Sequence, residues 1–290
     1  MVSIEFDNVT FSYGPSLEAP LFSNLNLNIA AGEWVVVVGP SGAGKTTLLK
    51  LMKGLLIPQA GEVRVNGSIL SPGELNHSAA CVFTNPENQI VSPVVYEDVS
   101  FGLENMGLSP EIVRIRAEEA LRWVGLWERV RDLSHHLSGG EQQRLILAGA
   151  LALRKRCLLL DDPFSMVDGA SRAEMLRVLN NIHREESFTL VQATHLLEEA
   201  LVAQRLLAME HGRLVFDNSP SRFLQEKGLI QRLGMEVPAI AKLGETLASK
   251  GLVEAGQVIT MEQLMDLLTV REDKEDNEIL FQPREDRERE

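Results

Sequence analysis

Apolar and polar residues alternate along 2–12 (VSIEFDNVTFS) and 21–29 (LFSNLNLNI), which predicts two half-buried, antiparallel strands. Residues 34–38 (WVVVV) break that alternation: an apolar run this short fits a strand covered on both faces. Residues 39–44 are glycine-rich, and 46–56 (TTLLKLMKGLL) show helical apolar spacing, giving the order strand, glycine loop, helix. The stretch 61–83 reads as strand-rich. Residues 109–128 read as an amphipathic helix with Ser109 as N-cap and Pro110 in the first turn. A further helix is expected over 138–153, and buried strands over 158–160 and 189–193. Short apolar strands alternating with helices predict a mainly parallel α/β sheet. Beyond Ser219 and Pro220 the pattern changes to short helices with Gly and Pro breaks, as far as Leu268. Residues 271–290 carry nine acids and five bases with few apolar groups, the composition of a solvated, disordered tail. No internal repeat is visible.

Composition narrows the class. A chain of 290 residues has room for one large α/β domain and a smaller addition. Its net charge of −13 argues against a nucleic-acid partner, which would need a basic stripe to displace counterions. Two cysteines, Cys81 and Cys157, sit among apolar neighbours and read as reduced thiols, without a disulfide framework or metal-ligand spacing. The start MVSIEFDN does not read as a signal peptide. The longest apolar stretch, 145–153, is about half of the roughly 20 residues that a membrane helix needs.

Chemistry enters at the glycine loop. Gly39, Pro40, Ser41, Gly42, Ala43, Gly44, Lys45 and Thr46 match G-x-x-x-x-G-K-[ST], with Thr47 following. Glycines let the backbone curl so that successive N–H groups point at phosphate oxygens. The next helix offers its positive end to the same anion. Lys45 supplies a mobile charge for the outer phosphates of ATP, and Thr46 can place its hydroxyl on Mg2+. Residues 158–162 (LLLDD) form an apolar strand ending in two carboxylates, and in P-loop enzymes an acid so placed, here Asp161, holds Mg2+.

Residues 137–144 (LSGGEQQR) resemble the signature motif of ATP-binding cassette (ABC) ATPases, and the likeness covers about 2–220 with its motifs in order. The fold it implies is α/β: a P-loop NTPase (ABC ATPase) core with an antiparallel β subdomain, a helical subdomain and a small C-terminal helical extension. The expected boundaries are 1–219 for the ATPase domain, with the helical subdomain at about 92–150, and 220–270 for the extension. The resemblance implies head-to-tail pairing, each ATP held between one chain's phosphate loop and the other's signature. Ser138, Gly139, Gly140, Glu141 and Gln142 would then serve the partner's nucleotide. It further implies that Tyr13 stacks on adenine, against the plainer reading of a strand tyrosine, that His195 touches the γ-phosphate, and that Asp168 lies at the dimer interface.

A narrower resemblance lies in FTNPENQIVSPVVYEDVSFGLENMGL and in the C-terminal stretch GMEVPAIAKLGETLASKGL with the following ITMEQLMDLL. Both are similar to energy-coupling-factor (ECF) transporter ATPases, which energise uptake of vitamins or of cobalt or nickel ions. That likeness implies a second ABC ATPase subunit, a transmembrane coupling subunit and a separate substrate-binding membrane subunit. It places the chain peripherally on the cytoplasmic face of the cell membrane. The segment also contains Gln89, expected at an interface or switch beside Thr84. Three positions depart from the family pattern. Thr84 stands where a glutamine is usual, Asp162 stands in place of the catalytic glutamate, and 165–169 read SMVDG rather than SGLDP. Asp162 and Thr84 keep open a chain that binds ATP, hydrolyses it weakly and forms the degenerate half of a heterodimer. A soluble ABC ATPase outside transport is the third reading. It usually carries a coiled-coil insertion, zinc cysteines or a second cassette, none of which is present.

Overall fold

The computed structural model describes residues 1–14 and 20–268. The expected tail, 271–290, and the end of the expected extension, 269–270, lie outside the described residues. The alternating segments form β1 (Ile4–Phe11) and β2 (Phe22–Ile29), which pair antiparallel. Their buried positions alternate as the pattern predicts, with Ile4, Phe6, Phe22 and Ile29 inward. With β4 (Ala60–Val65) and β5 (Ser68–Ile69) they make a four-stranded antiparallel sheet in the order β2-β1-β4-β5.

The apolar runs form the second sheet. β3 (Trp34–Val38), β7 (Cys157–Asp161) and β8 (Thr189–Thr194) are buried at every position, as strands covered on both faces must be. They join β6 (Ala79–Val82), β9 (Arg205–Glu210) and β10 (Arg213–Asn218) in the order β10-β9-β3-β8-β7-β6. Every pairing is parallel except that of β9 with β10. One core cluster joins the two sheets: Val35 and Val37 of β3, Leu159 of β7 and Leu207 of β9 pack with residues of β1, β2 and helix α1 (Lys45–Lys53). Burial of each such side chain contributes about 1.5–3 kcal/mol.

Three helices pack on one another beside the parallel sheet: α2 (Val95–Asn105), α3 (Pro110–Trp123) and α4 (Gly139–Ala152). Two expected ends differ. Helix α1 stops at Lys53 rather than residue 56, because Gly54 takes a left-handed φ of 82° and returns its N–H to Leu51 and Lys50. Helix α3 stops at Trp123 rather than 128, where Gly125 takes φ 69° and the chain continues as a 3-10 turn, Trp127–Arg129. Ser109 is its N-cap and Pro110 opens it, but the Ser109 side chain makes no capping hydrogen bond. Helices α5 (Gly169–Glu186) and α6 (Leu197–Ala200) flank β8 in sequence, and α7 (Pro220–Phe223) and α8 (Lys227–Arg232) follow β10.

A second compact unit begins at Val237. It contains α9 (Ala239–Ser249), where Gly244 packs so closely that an added Cβ would lie 1.9 Å from the Val258 carbonyl oxygen. Residues 261–268 are helical; Gln263 accepts the Thr260 N–H and donates its own to the Thr260 hydroxyl oxygen. Among the described residues, no helix is long and apolar enough to cross a membrane. Cys81 and Cys157 are free, and burial pushes their thiols up to about 11 and about 12.

Candidate functional site

The glycine loop leaves the carboxyl end of β3 and enters α1, whose N-cap Gly44 (φ 105°) provides no side-chain cap. The first turn of α1 carries no acid either. The helix therefore presents N–H groups that have no carbonyl partner within it, at the end of its dipole that favours an anion. Gly44 is needed for more than its φ: an added Cβ would lie 2.7 Å from the buried Phe22 ring. Lys45 is folded back, its Nζ donating to the carbonyl oxygens of Gly39 (2.7 Å) and Pro40 (3.1 Å). Burial lowers its pKa, while Asp162 and Asp161 act in the opposite direction. The ammonium thus sits beside the open helix end, held by neutral acceptors that a phosphate could displace.

Across from it, β7 ends at Asp161, which is 2% exposed. Its Oδ2 accepts from the Thr46 hydroxyl (2.7 Å) and the Thr84 hydroxyl (3.3 Å). Burial raises the Asp161 pKa, the Thr46 bond opposes this, and neighbouring Asp162 raises it further. A carboxylate kept in that state gains from a bound cation. Hydroxyl and carboxylate oxygens suit Mg2+, which takes one or two carboxylates and completes its shell with phosphates and water. Consistently, the described residues contain no cluster of three or more His, Cys, Asp or Glu that could hold a metal alone.

Asp162 takes φ 48°, the left-handed region that Asp tolerates better than most residues. This turns its side chain towards β8, and its Oδ1 accepts from the backbone N–H of His195 (3.3 Å) and meets His195 Nδ1 at 2.9 Å. Tyr13 is 66% exposed, stacks edge-on to Phe11 and shares a 2.8 Å hydrogen bond with the Thr47 hydroxyl. One end of the parallel sheet thus gathers Tyr13, the loop from Gly39 to Thr47, Thr84, Asp161, Asp162 and His195.

Other expected residues lie elsewhere in the chain. Ser138 caps α4 in a reciprocal box with Glu141, accepting its N–H and donating to its carboxylate. Burial pushes the Glu141 carboxyl up, but the Ser138 N–H and the Arg129 guanidinium outweigh it and hold the pKa low. Gln142 donates to the Ser134 carbonyl. Asp168 caps α5 by accepting from Ala170 and Ser171, and those N–H groups hold its carboxyl below the usual range. Gln89 bonds both polar groups of Phe83 and so closes the turn 83–89 on itself. Among the described residues, no hydrogen bond or ion pair joins Ser138, Gly139 or Gly140 to the phosphate loop.

Two buried polar residues, Gln143 and Glu199, and the half-buried Arg172 stand outside the motifs that the sequence offers as site residues. Gln143 is 3% exposed and bonds both Ser165 and Met166. Glu199, 1% exposed, accepts from Gln192 (2.7 Å) and lies 3.7 Å from Arg172, and burial pushes its pKa up to about 7. Arg172 also donates to the Val167 carbonyl. A signal for Gln143 existed: it interrupts an apolar stripe with Leu147 and Leu151 at helical spacing, where a polar side chain needs a partner.

The family described as "ABC transporter" matches residues 22–165. The energy-coupling factor transporter ATP-binding protein EcfA1 of Caldanaerobacter subterraneus subsp. tengcongensis is 35% identical over 271 residues, covering 91% of this chain and 98% of the relative. The solved structure of cbiO1 from Clostridium perfringens, part of the ABC transporter complex cbiONQ, superposes with a TM-score of 0.71 at 28% identity, covering 79% of this chain and 93% of that one. The ATP-binding cassette MJ0796, solved as a dimer in a post-hydrolysis state bound to ADP and Pi, gives a TM-score of 0.68 at 28% identity, covering 75% and 98%.

Proposed function

The chain belongs to the ABC transporter ATP-binding proteins and is an ATPase of the energy-coupling factor type, and on that premise we propose that it drives uptake of a vitamin or transition-metal ion as one half of an ATPase heterodimer. It acts peripherally, on the cytoplasmic face of the membrane, through a transmembrane coupling subunit and a separate substrate-binding membrane subunit. The observation that carries the reading is the convergence of Lys45, Thr46 and Asp161 on the open N-terminus of α1.

In this reading the loop N–H groups and Lys45 bind the phosphates, Lys45 leaving the Gly39 and Pro40 carbonyls to do so. Tyr13 offers a ring face to adenine, an interaction worth about 1–3 kcal/mol per base. Thr46 and Asp161 would hold Mg2+, which when bound neutralises charge on the phosphate oxygens. His195, fixed by Asp162, faces the γ-phosphate. Ser138, with the Gly139 and Gly140 N–H groups at the α4 N-terminus, closes on the nucleotide of the partner chain. Closure, hydrolysis and reopening then pull on the membrane subunit, with catalysis coming mainly from positioning and charge stabilisation. Asp162 is one methylene shorter than glutamate and its Oδ1 is engaged by His195, so this chain's own site is a weak hydrolytic one.

The test is Lys45→Ala. Calorimetry should show MgATP affinity falling by several kcal/mol, since a charge-assisted contact to phosphate is lost. Equal affinity in the variant would remove the reading.

A further inference from the structure

We propose that Gln143 is a positioning residue that fastens the signature turn to residues 165–167 of the same chain, and so sets the geometry of the half-site lent to the partner. The inference rests on the head-to-tail dimer proposed above. Gln143 lies in the first turns of α4, five residues after the cap Ser138. Its amide uses both ends on one short segment: Nε2 donates to the Ser165 hydroxyl at 2.8 Å, and Oε1 accepts from the Met166 N–H at 2.8 Å.

Packing makes the same junction independently. A Cβ added to Gly140 would lie 3.0 Å from the Met166 carbonyl oxygen, and one added to Gly139 would lie 3.1 Å from the Met166 sulfur. The signature glycines therefore sit directly against their own chain's 165–167 segment, whatever closeness to phosphate they also allow. That segment is short and braced. It begins three residues after Asp162, Ser165 N–H donates back to the Asp162 carbonyl, and Val167 N–H donates to Phe164. Arg172 holds the Val167 carbonyl from the α5 side. The only amide that crosses from α4 to this turn, among the described hydrogen bonds, is that of Gln143. A shift of about 1 Å in the Ser138 end of α4 is enough to lower a rate around a hundredfold.

The test measures MgATP turnover of the assembled transport complex containing this chain. Gln143→Met keeps length and apolar burial without the amide. Gln143→Glu can still accept from the Met166 N–H, and the Ser165 hydroxyl can turn to donate to its second oxygen. Contacts made only in the closed dimer affect kcat rather than KM. Gln143→Met should lower kcat at least about tenfold with little change in KM, Gln143→Glu should recover most of it, and each separate variant chain should bind ATP as the unmodified chain does. A kcat for Gln143→Met within about twofold of the unmodified complex overturns the proposal. So does an equal fall in both variants together with lost ATP binding by the separate chains, which marks a purely structural role. Should Gln143→Met fail to fold, Ser165→Ala removes only the Nε2 contact at an exposed position, and unchanged kcat there overturns the proposal equally. Ser138→Arg in the same complex separates the two levels. Full turnover in that variant removes the dimer reading itself, whereas lost turnover beside an unaffected Gln143→Met leaves the dimer reading standing and removes only the role of Gln143.

Discussion

Asp161 shows how one side chain sets binding against stability. Burial holds its carboxyl above the ordinary range, despite hydroxyl donors from Thr46 and Thr84. For a carboxyl raised in the fold, the folded state binds the proton more tightly than the unfolded chain. Stability therefore falls as pH climbs from the ordinary value to the folded one, and the ionised group remains a burden above it. Asp161→Asn keeps the shape and a carbonyl acceptor without the charge. In the free chain it should raise Tm at neutral pH by roughly 2–4 °C, the equivalent of about 1 kcal/mol, and should abolish the Mg2+ dependence of ATP binding. A Tm that falls, or Mg2+ dependence that survives, would contradict this assignment. Glu199 obeys the same sign with a value: its carboxyl rises from 4.5 to about 7, so it draws stability down across that interval. Glu199→Gln should flatten the Tm profile between those two pH values, and an unchanged slope would show that Arg172 compensates the charge. Lys45, Thr46 and Asp161 were legible because each stands at a fixed offset in a local motif. Glu199 and Arg172 were not, because they stand on separate helices, α6 and α5, and meet only in the tertiary fold.

At the scale of elements, three helix starts divide by what their N-termini do. Helices α4 and α5 are capped by Ser138 and Asp168, while α1 opens with Gly44 and no side-chain cap. Leaving α1 uncapped keeps its N–H groups available to phosphate, and Gly44 makes it possible by accepting φ 105° above the Phe22 ring. Gly44→Ala should destabilise the chain by at least about 1–2 kcal/mol from the left-handed backbone alone, and should weaken ATP binding as the loop shifts from Phe22. Denaturant midpoints and calorimetry read the two effects, and an unchanged midpoint would mean that the loop relaxes freely. The strands were legible because their burial follows from period: alternating for β1 and β2, continuous for β3, β7 and β8. Helix α5 carries a stripe of Met175, Leu176, Leu179 and Ile182 that periodicity alone could have placed. Helix α2 is harder, because Gly102 interrupts it and Phe101 points outward, 48% exposed. Strand β10 (RLVFDN) has no fully buried position, and its continuous Leu214, Val215, Phe216 run lacks the alternation that marks a half-buried strand.

At the scale of the whole molecule, the proposed function gives one chain two halves of different sites. Lys45, Thr46, Asp161, Asp162 and His195 gather at one end of the parallel sheet, while the Ser138 turn caps α4 without a bond to them. On that reading a complete site needs a second subunit, and the departures from the family pattern fall unevenly on the two halves. The signature half is intact, with its capping box and close-packed glycines. The other half has Asp162, whose reach is one methylene short and whose Oδ1 already serves His195. Thr84 does touch Asp161, at 3.3 Å, so it braces the proposed Mg2+ ligand but lacks the extent of a glutamine amide. A water held by Asp162 would sit about 1 Å or more from its best position, which can lower a rate around a hundredfold. Two copies of this chain would give two slow sites. Pairing with a different ATPase would give one slow site and one fast one, the fast one built from the partner's phosphate loop and Ser138, Gly139 and Gly140 of this chain. In the purified heterodimer, Asp162→Asn should leave ATP turnover within about twofold, since only the slow site contains it, whereas Ser138→Arg should reduce turnover by about a hundredfold. Removing the partner's catalytic glutamate should match Ser138→Arg. Were Asp162→Asn as damaging as Ser138→Arg, or were this chain alone to form a fast ATPase, Asp162 would be a working base and the pairing symmetric.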